Sequence, residues 1–169
     1  MTLRPAIPSD AKSIAEVNVA SWKCAYRGLL PDTVLDNLST AKKATRLKTR
    51  ICEPTIQVFV LEQNNAIIGF VNFGASRDSD ADQERVAEIY AVYLEPREWR
   101  KGHGSALVAA AIASLQERGY TEVTLWALYN NERAFKFYQA VGFETDGATK
   151  VETRADGTEL HEVRFRRPI

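Results

Sequence analysis

The sequence predicts an α/β chain of the α+β kind: one mixed, mostly antiparallel central sheet of about seven strands, flanked by about four helices. Three observations predict it. Two β-branched and aromatic runs, IQVFVLE (56–62) and AIIGFVNFG (66–74), are separated by the polar turn Gln63-Asn64-Asn65, which is a hairpin pattern. A third strand run, RVAEIYAVYL (85–94), and a fourth, TEVTLWAL (121–128), bracket the alanine-rich helical segment SALVAAAIASLQERG. The resulting order, β-α-α-β-β-β-α-β-α-β-β, does not alternate regularly, which argues against a doubly wound parallel sheet.

The elements follow in order. TLRPAI is short and extended, and Pro5 confines it to a sheet edge or a strand end. Ser9 or Asp10 can cap a helix whose buried face carries Ile14, Val17, Val19, Trp22 and Ala25, with Gly28 as its stop. Pro31 can open a short helical piece. Ser39 or Thr40 caps the basic segment AKKATRLKTRI, read as a solvated face with RNA contact as a minor alternative. After the hairpin comes the polar loop SRDSDADQ, then the third strand. Gly119 closes the alanine-rich helix, Asn130 or Asn131 caps ERAFKFYQAV, and Gly142 ends that. Two last strands, roughly 143–154 and 159–166, flank the turn Ala155-Asp156-Gly157-Thr158.

The chain has 169 residues, a length that fits a single domain, 1–169. Its 22 Lys+Arg balance 22 Asp+Glu, which argues against a dedicated nucleic-acid binder or a membrane-surface helix as the main role. The N-terminal stretch lacks the apolar core of a signal peptide, and the longest apolar run, Ala106–Ala113, is too short to cross a bilayer. Cys24 and Cys52 form no CxxC and read as free thiols of a reducing compartment, one disulfide being the alternative. A cytoplasmic protein is expected. His103 and His161 have no ligand spacing, so no metal is expected.

The stretch Trp99-Arg100-Lys101-Gly102-His103-Gly104-Ser105 lies between a strand and a helix. The first N–H groups of a helix lack internal partners, and the dipole end is positive, so a phosphate fits there. Glycines allow close backbone approach. A P-loop is excluded because the lysine precedes the glycines, and a Rossmann fingerprint because Leu107 stands where its third glycine belongs. On the glycine pair alone, a tight turn that binds nothing is an equal reading.

AEIYAVYLEPREWRKGHGSAL, followed some thirty residues later by NERAFKFYQAVGF, resembles the GCN5-related N-acetyltransferase superfamily. The likeness covers most of the chain, and it implies the acyl-CoA N-acyltransferase fold with acetyl-CoA held where two neighbouring parallel strands splay apart. It implies that Val92, Tyr93 and Leu94 present backbone groups to the pantetheine arm and acetyl carbonyl. Arg100, Lys101, Gly102, His103, Gly104 and Ser105 would hold the pyrophosphate, Asn131 would touch the cofactor arm, and Tyr138 would lie near the thioester sulfur. The family usually carries Gln or Arg three residues before the first glycine; Trp99 stands there.

An amine at neutral pH is mostly ammonium, so transfer to it needs a proton acceptor. Strand alternation would set Glu88, Tyr90, Val92 and Leu94 on one face, and Glu88 is the candidate base, a surface glutamate paired with a base being the alternative. Tyr138 is the candidate acid, an ordinary core tyrosine the alternative. Related proteins line the acceptor cleft with the first two helices and the loop before the central strand. That implies Trp22, Tyr26 and Arg27, with Tyr90 beside them, as substrate contacts, and Trp22 and Tyr26 as an aromatic wall for a cationic amine. Asp78, Asp80 and Asp82 would give the 77–84 loop an acidic edge that attracts such an amine, or a merely solvated one. The expected activity is direct acetyl transfer from acetyl-CoA to a primary amine of a small molecule or peptide. The rival is a non-catalytic acyl-CoA sensor or interaction module. The family often dimerises, which leaves a homodimer open.

Overall fold

The computed structural model describes residues 1–169. Seven strands form one sheet: β1 (Thr2–Pro5), β2 (Ile56–Gln63), β3 (Ala66–Ala75), β4 (Val86–Leu94), β5 (Glu122–Leu128), β6 (Glu144–Thr153) and β7 (Glu159–Pro168). Their spatial order is β1-β2-β3-β4-β5-β7-β6. Five helices flank it: α1 (Ala11–Ala25), α2 (Asp32–Asp36), α3 (Thr40–Ile51), α4 (His103–Glu117) and α5 (Glu132–Ala140). This is the mixed, mostly antiparallel sheet expected, with the short piece after Pro31 counted as a fifth helix.

Local chemistry accounts for the element ends. Asn64 and Asn65 both take positive φ, 50° and 60°, which a two-residue hairpin turn requires and asparagine tolerates. Ser39 accepts from the Lys42 N–H at 3.2 Å and caps α3; Asn131 accepts from the Ala134 N–H at 3.1 Å and caps α5. Pro5 does lie on the edge strand.

The two sheet faces are covered by different helices. Leu107, Val108, Ala111, Ile112 and Leu115 of α4 pack on Val71, Phe73, Ala87 and Ile89. Ile14 and Val17 of α1 pack on Val58, Val60 and Phe70. Beyond them Leu30 and Leu35 meet Leu128 and Leu160, with Trp22 and Tyr26 alongside. No helix is long and apolar enough to cross a membrane.

Two irregularities of β4 shape everything that follows. Its parallel ladder with β5 is confined to Val86–Glu88 against Glu122–Thr124, and the strands diverge beyond it. Its antiparallel ladder with β3 pairs Ala91 with Asn72 but Ile89 with Phe73, leaving Tyr90 as an extra, bulged residue. A bulge reverses the side-chain alternation. Ala87 and Ile89 pack in the α4 cluster before it, Val92 and Leu94 after it, while Ala91 and Tyr93 turn to the α1 cluster. The expected common face of Glu88, Tyr90, Val92 and Leu94 is therefore incorrect: Glu88 and Val92 lie on opposite faces.

Candidate active site

The gap between the diverging strands opens into a cavity of about 520 Å³. One wall is β4 from Ile89 to Leu94, the opposite wall β5 from Trp126 to Leu128, and α5 supplies Ala134, Phe137 and Tyr138. With no ladder to β5 after Glu88, the β4 edge facing this gap keeps its backbone groups for a ligand. The outer end is the glycine turn, where Arg100, Gly102, Gly104 and Ser105 reach the cavity.

The turn is built for close approach. Arg100 and Gly102 take φ of 61° and 82°, so the chain reverses just before α4 and aims its first N–H groups outward. A Cβ on Gly104 would stand 3.1 Å from the Phe137 ring. Arg133 adds a further cation at this wall. These features fit a polyanionic ligand with a long arm. The side chains of Lys101 and His103 do not join them: Lys101 Nζ lies 3.1 Å and His103 Nε2 3.5 Å from Glu98, and neither residue lines the cavity. Of the turn residues expected to hold a pyrophosphate, Lys101 and His103 keep their backbone N–H groups rather than their side chains for it. Trp99 has its own task. Its indole N–H donates to the Leu94 carbonyl at 3.2 Å, and the Arg133 guanidinium sits 4.0 Å over its ring. Trp99 thus orients a cation at the turn where a family member carries Gln or Arg.

Asn131 lines the cavity, but its side-chain oxygen is engaged in capping, so only its NH2 is left for a ligand. Tyr138 lines the inner end, packed against Phe143 and Phe165 at centroid distances of 6.1 and 5.6 Å. Burial, then the neighbouring Tyr93 and Glu162, push its phenol far above the ordinary tyrosine value. Tyr93 and Tyr26 join hydroxyls at 3.2 Å, and burial raises both.

The acceptor-side expectations fare unevenly. Trp22 and Tyr26 do meet, edge to face at 4.7 Å. The Trp22 ring is already served by the protein's own cations, Lys43 at 4.9 Å and Arg154 at 5.4 Å, so it is not a free wall for a cationic amine. Arg27 points away, to Asp32 and Asp36 of α2, and lines no cavity. Its assignment as a substrate contact is corrected: a guanidinium two residues past the end of α1 finds carboxylates on the next helix first. Tyr90 reaches the cavity, with its hydroxyl donating to the Ala75 carbonyl at 2.6 Å and its ring under Arg77 at 4.4 Å.

Glu88 is 1% exposed and faces the α1 side. The Arg77 guanidinium grips both its oxygens and the Arg77 N–H adds a bond at 3.1 Å. Three of roughly four acceptor positions are used. The loop's acidic edge is likewise consumed. Arg164 on β7 binds Asp80 at 2.7 and 2.9 Å, Asp78 at 3.2 Å and Asp146 at 2.8 Å, and the Trp126 indole donates to Asp78. The expected attraction of an amine by Asp78 and Asp80 is replaced by a structural network.

Sequence reading missed Glu162. It pairs across from Leu128 on β5 and Lys150 on β6, on the Tyr26 side of the sheet. One of its oxygens is buried without a hydrogen bond, with Lys150 Nζ at 3.6 Å, and burial raises its carboxyl above the usual value. The alternation Leu160-Glu162-Arg164 in ELHEVRFRRP carried the signal. No three His, Cys, Asp or Glu side chains converge as a metal site.

A divided parallel pair over a left-handed glycine turn is the arrangement of the acyl-CoA N-acyltransferase fold. Solved structures agree. The chain overlays the PaiA N-acetyltransferase of Thermoplasma acidophilum, a structure in complex with coenzyme A, with a TM-score of 0.78 over 100% of both chains at 21% identity. The particular family follows from sequence: residues 21–143 match the model of the Acetyltransferase (GNAT) family, and the chain belongs to that family. YuaI of Bacillus subtilis (strain 168), called an uncharacterized N-acetyltransferase, is 30% identical over 164 residues, 96% of this chain and 90% of its own. The mycothiol acetyltransferase of Sanguibacter keddieii is 34% identical over 102 residues, which span 59% of this chain and 32% of that protein.

Proposed function

We propose that this acetyltransferase moves an acetyl group directly from acetyl-CoA to a primary amine, in the cytoplasm, where its exposed Cys24 and Cys52 stay reduced. The observation that carries the reading is the β4–β5 divergence, which joins the glycine turn to Tyr138 through one continuous cavity. When bound, acetyl-CoA supplies an activated acetyl group. Arg100, Arg133 and the turn N–H groups hold its phosphates, and the free β4 edge near Val92 aligns the arm and donates an N–H to the acetyl oxygen.

Glu88 is the proton acceptor in this reading. Glu88 lines neither cavity and Arg77 covers three of its acceptor positions, so the remaining one reaches the amine only through a water held beside Tyr90. Tyr138 donates a hydrogen bond to the sulfur as it leaves. Full proton transfer from a phenol to a thiolate is roughly 2 kcal/mol uphill at ordinary values. Burial widens that gap, which favours a hydrogen-bond donor over a proton donor. The nitrogen–carbonyl bond forms, the carbon–sulfur bond breaks, and the amine's surplus proton ends on the thiol.

Thiol release from acetyl-CoA across an amine panel tests the reading. Turnover with at least one primary amine is expected. Tyr138→Phe should lower kcat about tenfold to a hundredfold with acetyl-CoA affinity unchanged. Glu88→Gln should lower kcat and displace the acid limb of the pH–rate profile. Tight acetyl-CoA binding with no turnover on any amine would turn the assignment to an acyl-CoA sensor.

A further inference from the structure

A second cavity, about 580 Å³, lies between α1 and α3 on the other side of β4. It shares Tyr90, Ala91 and Tyr93 with the first, so the two meet at the strand segment where the acetyl group would lie. Two asparagines line it, Asn18 from α1 and Asn72 from β3, 9% and 3% exposed. The side-chain oxygen of each is buried with no hydrogen-bond partner. Both amides stand in the wall between α1 and β3, so the polar lining of the cavity continues from α3 to the β3–β4 edge.

The charge there is one-sided. Lys43, Arg46 and Arg50 of α3 line the cavity with Glu53 as the single acid, and none of the four forms a salt bridge. Lys43 is pushed down to about 8, by burial first and then by Arg154 and Arg46. A lysine moved that way has cationic neighbours and no anion. Lys42 and Lys48 stand exposed as a solvated face, while Lys43, Arg46 and Arg50 of the same helix wall a cleft.

We propose that this cavity seats the acceptor, and that the acceptor is an amine bearing an anionic group, carboxylate or phosphate, held by Lys43, Arg46 and Arg50. Its amine lies at Tyr90–Tyr93, where the two cavities meet. The inference rests on the acetyl-transfer reading and narrows its substrate class.

The test compares matched amines: phosphoethanolamine with ethanolamine, 4-aminobutyrate with its methyl ester, and alanine with alaninamide. The anionic member of at least one pair should have a kcat/KM about thirtyfold or more above its neutral partner. The double variant Arg46→Gln, Arg50→Gln should bring that ratio near one by raising KM, with kcat and acetyl-CoA affinity unchanged. Neutral or cationic amines that match or exceed the anionic ones overturn the proposal. A separate arm needs no turnover: calorimetric titration of the wild type and the double variant with phosphoethanolamine and with 4-aminobutyrate. Binding of either that the double variant weakens tenfold or more supports the anion site even if no amine is acetylated, a result that would sink only the acetyl-transfer reading. Absence of binding for both, or binding indifferent to the double variant, overturns the anion site.

Discussion

The two sides of β4 are built on different principles. On the α4–α5 side, recognition is a backbone affair: a left-handed Gly102, a side-chain-free Gly104, and a strand edge released from its ladder. On the α1–α3 side it is a side-chain affair: two orphan amides, three unpaired cations and two aromatic rings. Backbone recognition needs particular residues at fixed spacings, because only glycine permits the φ and the closeness. Side-chain recognition can be assembled from any residues that the fold brings together. The first is therefore a motif and the second is not.

The largest effect that would separate the two sides is expected at Gly104. A leucine there places its Cβ 3.1 Å from Phe137 and its remaining atoms across the cradle. Acetyl-CoA affinity should fall by two orders of magnitude or more in calorimetry, about 3 kcal/mol. Anionic-amine binding, measured without acetyl-CoA, should be unchanged. Loss of both together would mean that the cavities are not independent, and loss of neither would remove the turn from cofactor binding.

How far the sequence was legible follows the same division. The hairpin, the caps Ser39 and Asn131, and the glycine turn were all readable, since each is a local rule satisfied by neighbouring residues. The face of Glu88 was not, because one bulged residue, Tyr90, reverses the alternation and nothing local announces it. Arg27 and the Asp78–Asp80 edge misled for a different reason. A charge in sequence looks free until the fold supplies its partner, and Arg164 lies more than eighty residues from Asp78. Asn18 and Asn72 were invisible for the converse reason: an orphan is defined by partners that never arrive. The balanced net charge hid all of this, because a sum of charges says nothing of which ones the fold pairs.

The Arg164 network offers the next, somewhat smaller break. Arg164 is 9% exposed and holds three aspartates drawn from the 77–84 loop and β6. Removing one partner of such a network strands the others, and Arg164→Met should cost about 3 kcal/mol in denaturant unfolding. Under conditions where the variant is folded, its preference among amines by charge should persist. A shift of preference towards cationic amines would restore a substrate role to Asp78 and Asp80, whose carboxylates the substitution frees.

The smallest effect expected concerns Glu162, on β7 across from Leu128. Its folded carboxyl titrates above the unfolded one, because burial outweighs the attraction of Lys150. Between the two values the unfolded chain binds fewer protons than the folded one, so this group lowers stability as pH rises through that window and is without effect below both. Glu162→Gln removes the ionisation while keeping the shape. Its stability relative to wild type should therefore be near zero at pH 4 and favourable at pH 7, read as a Tm above that of the wild type at pH 7 only. The same substitution discriminates function. Glu162 acts on Tyr26, Tyr93 and Tyr138 only through charge, and burial is the main cause of the raised Tyr138 phenol, so its removal should leave kcat within a few-fold. A loss of kcat comparable with that of Glu88→Gln would instead make Glu162 the proton acceptor, the carboxylate with an oxygen that accepts no hydrogen bond, and would leave Glu88 as the anchor that fixes Arg77.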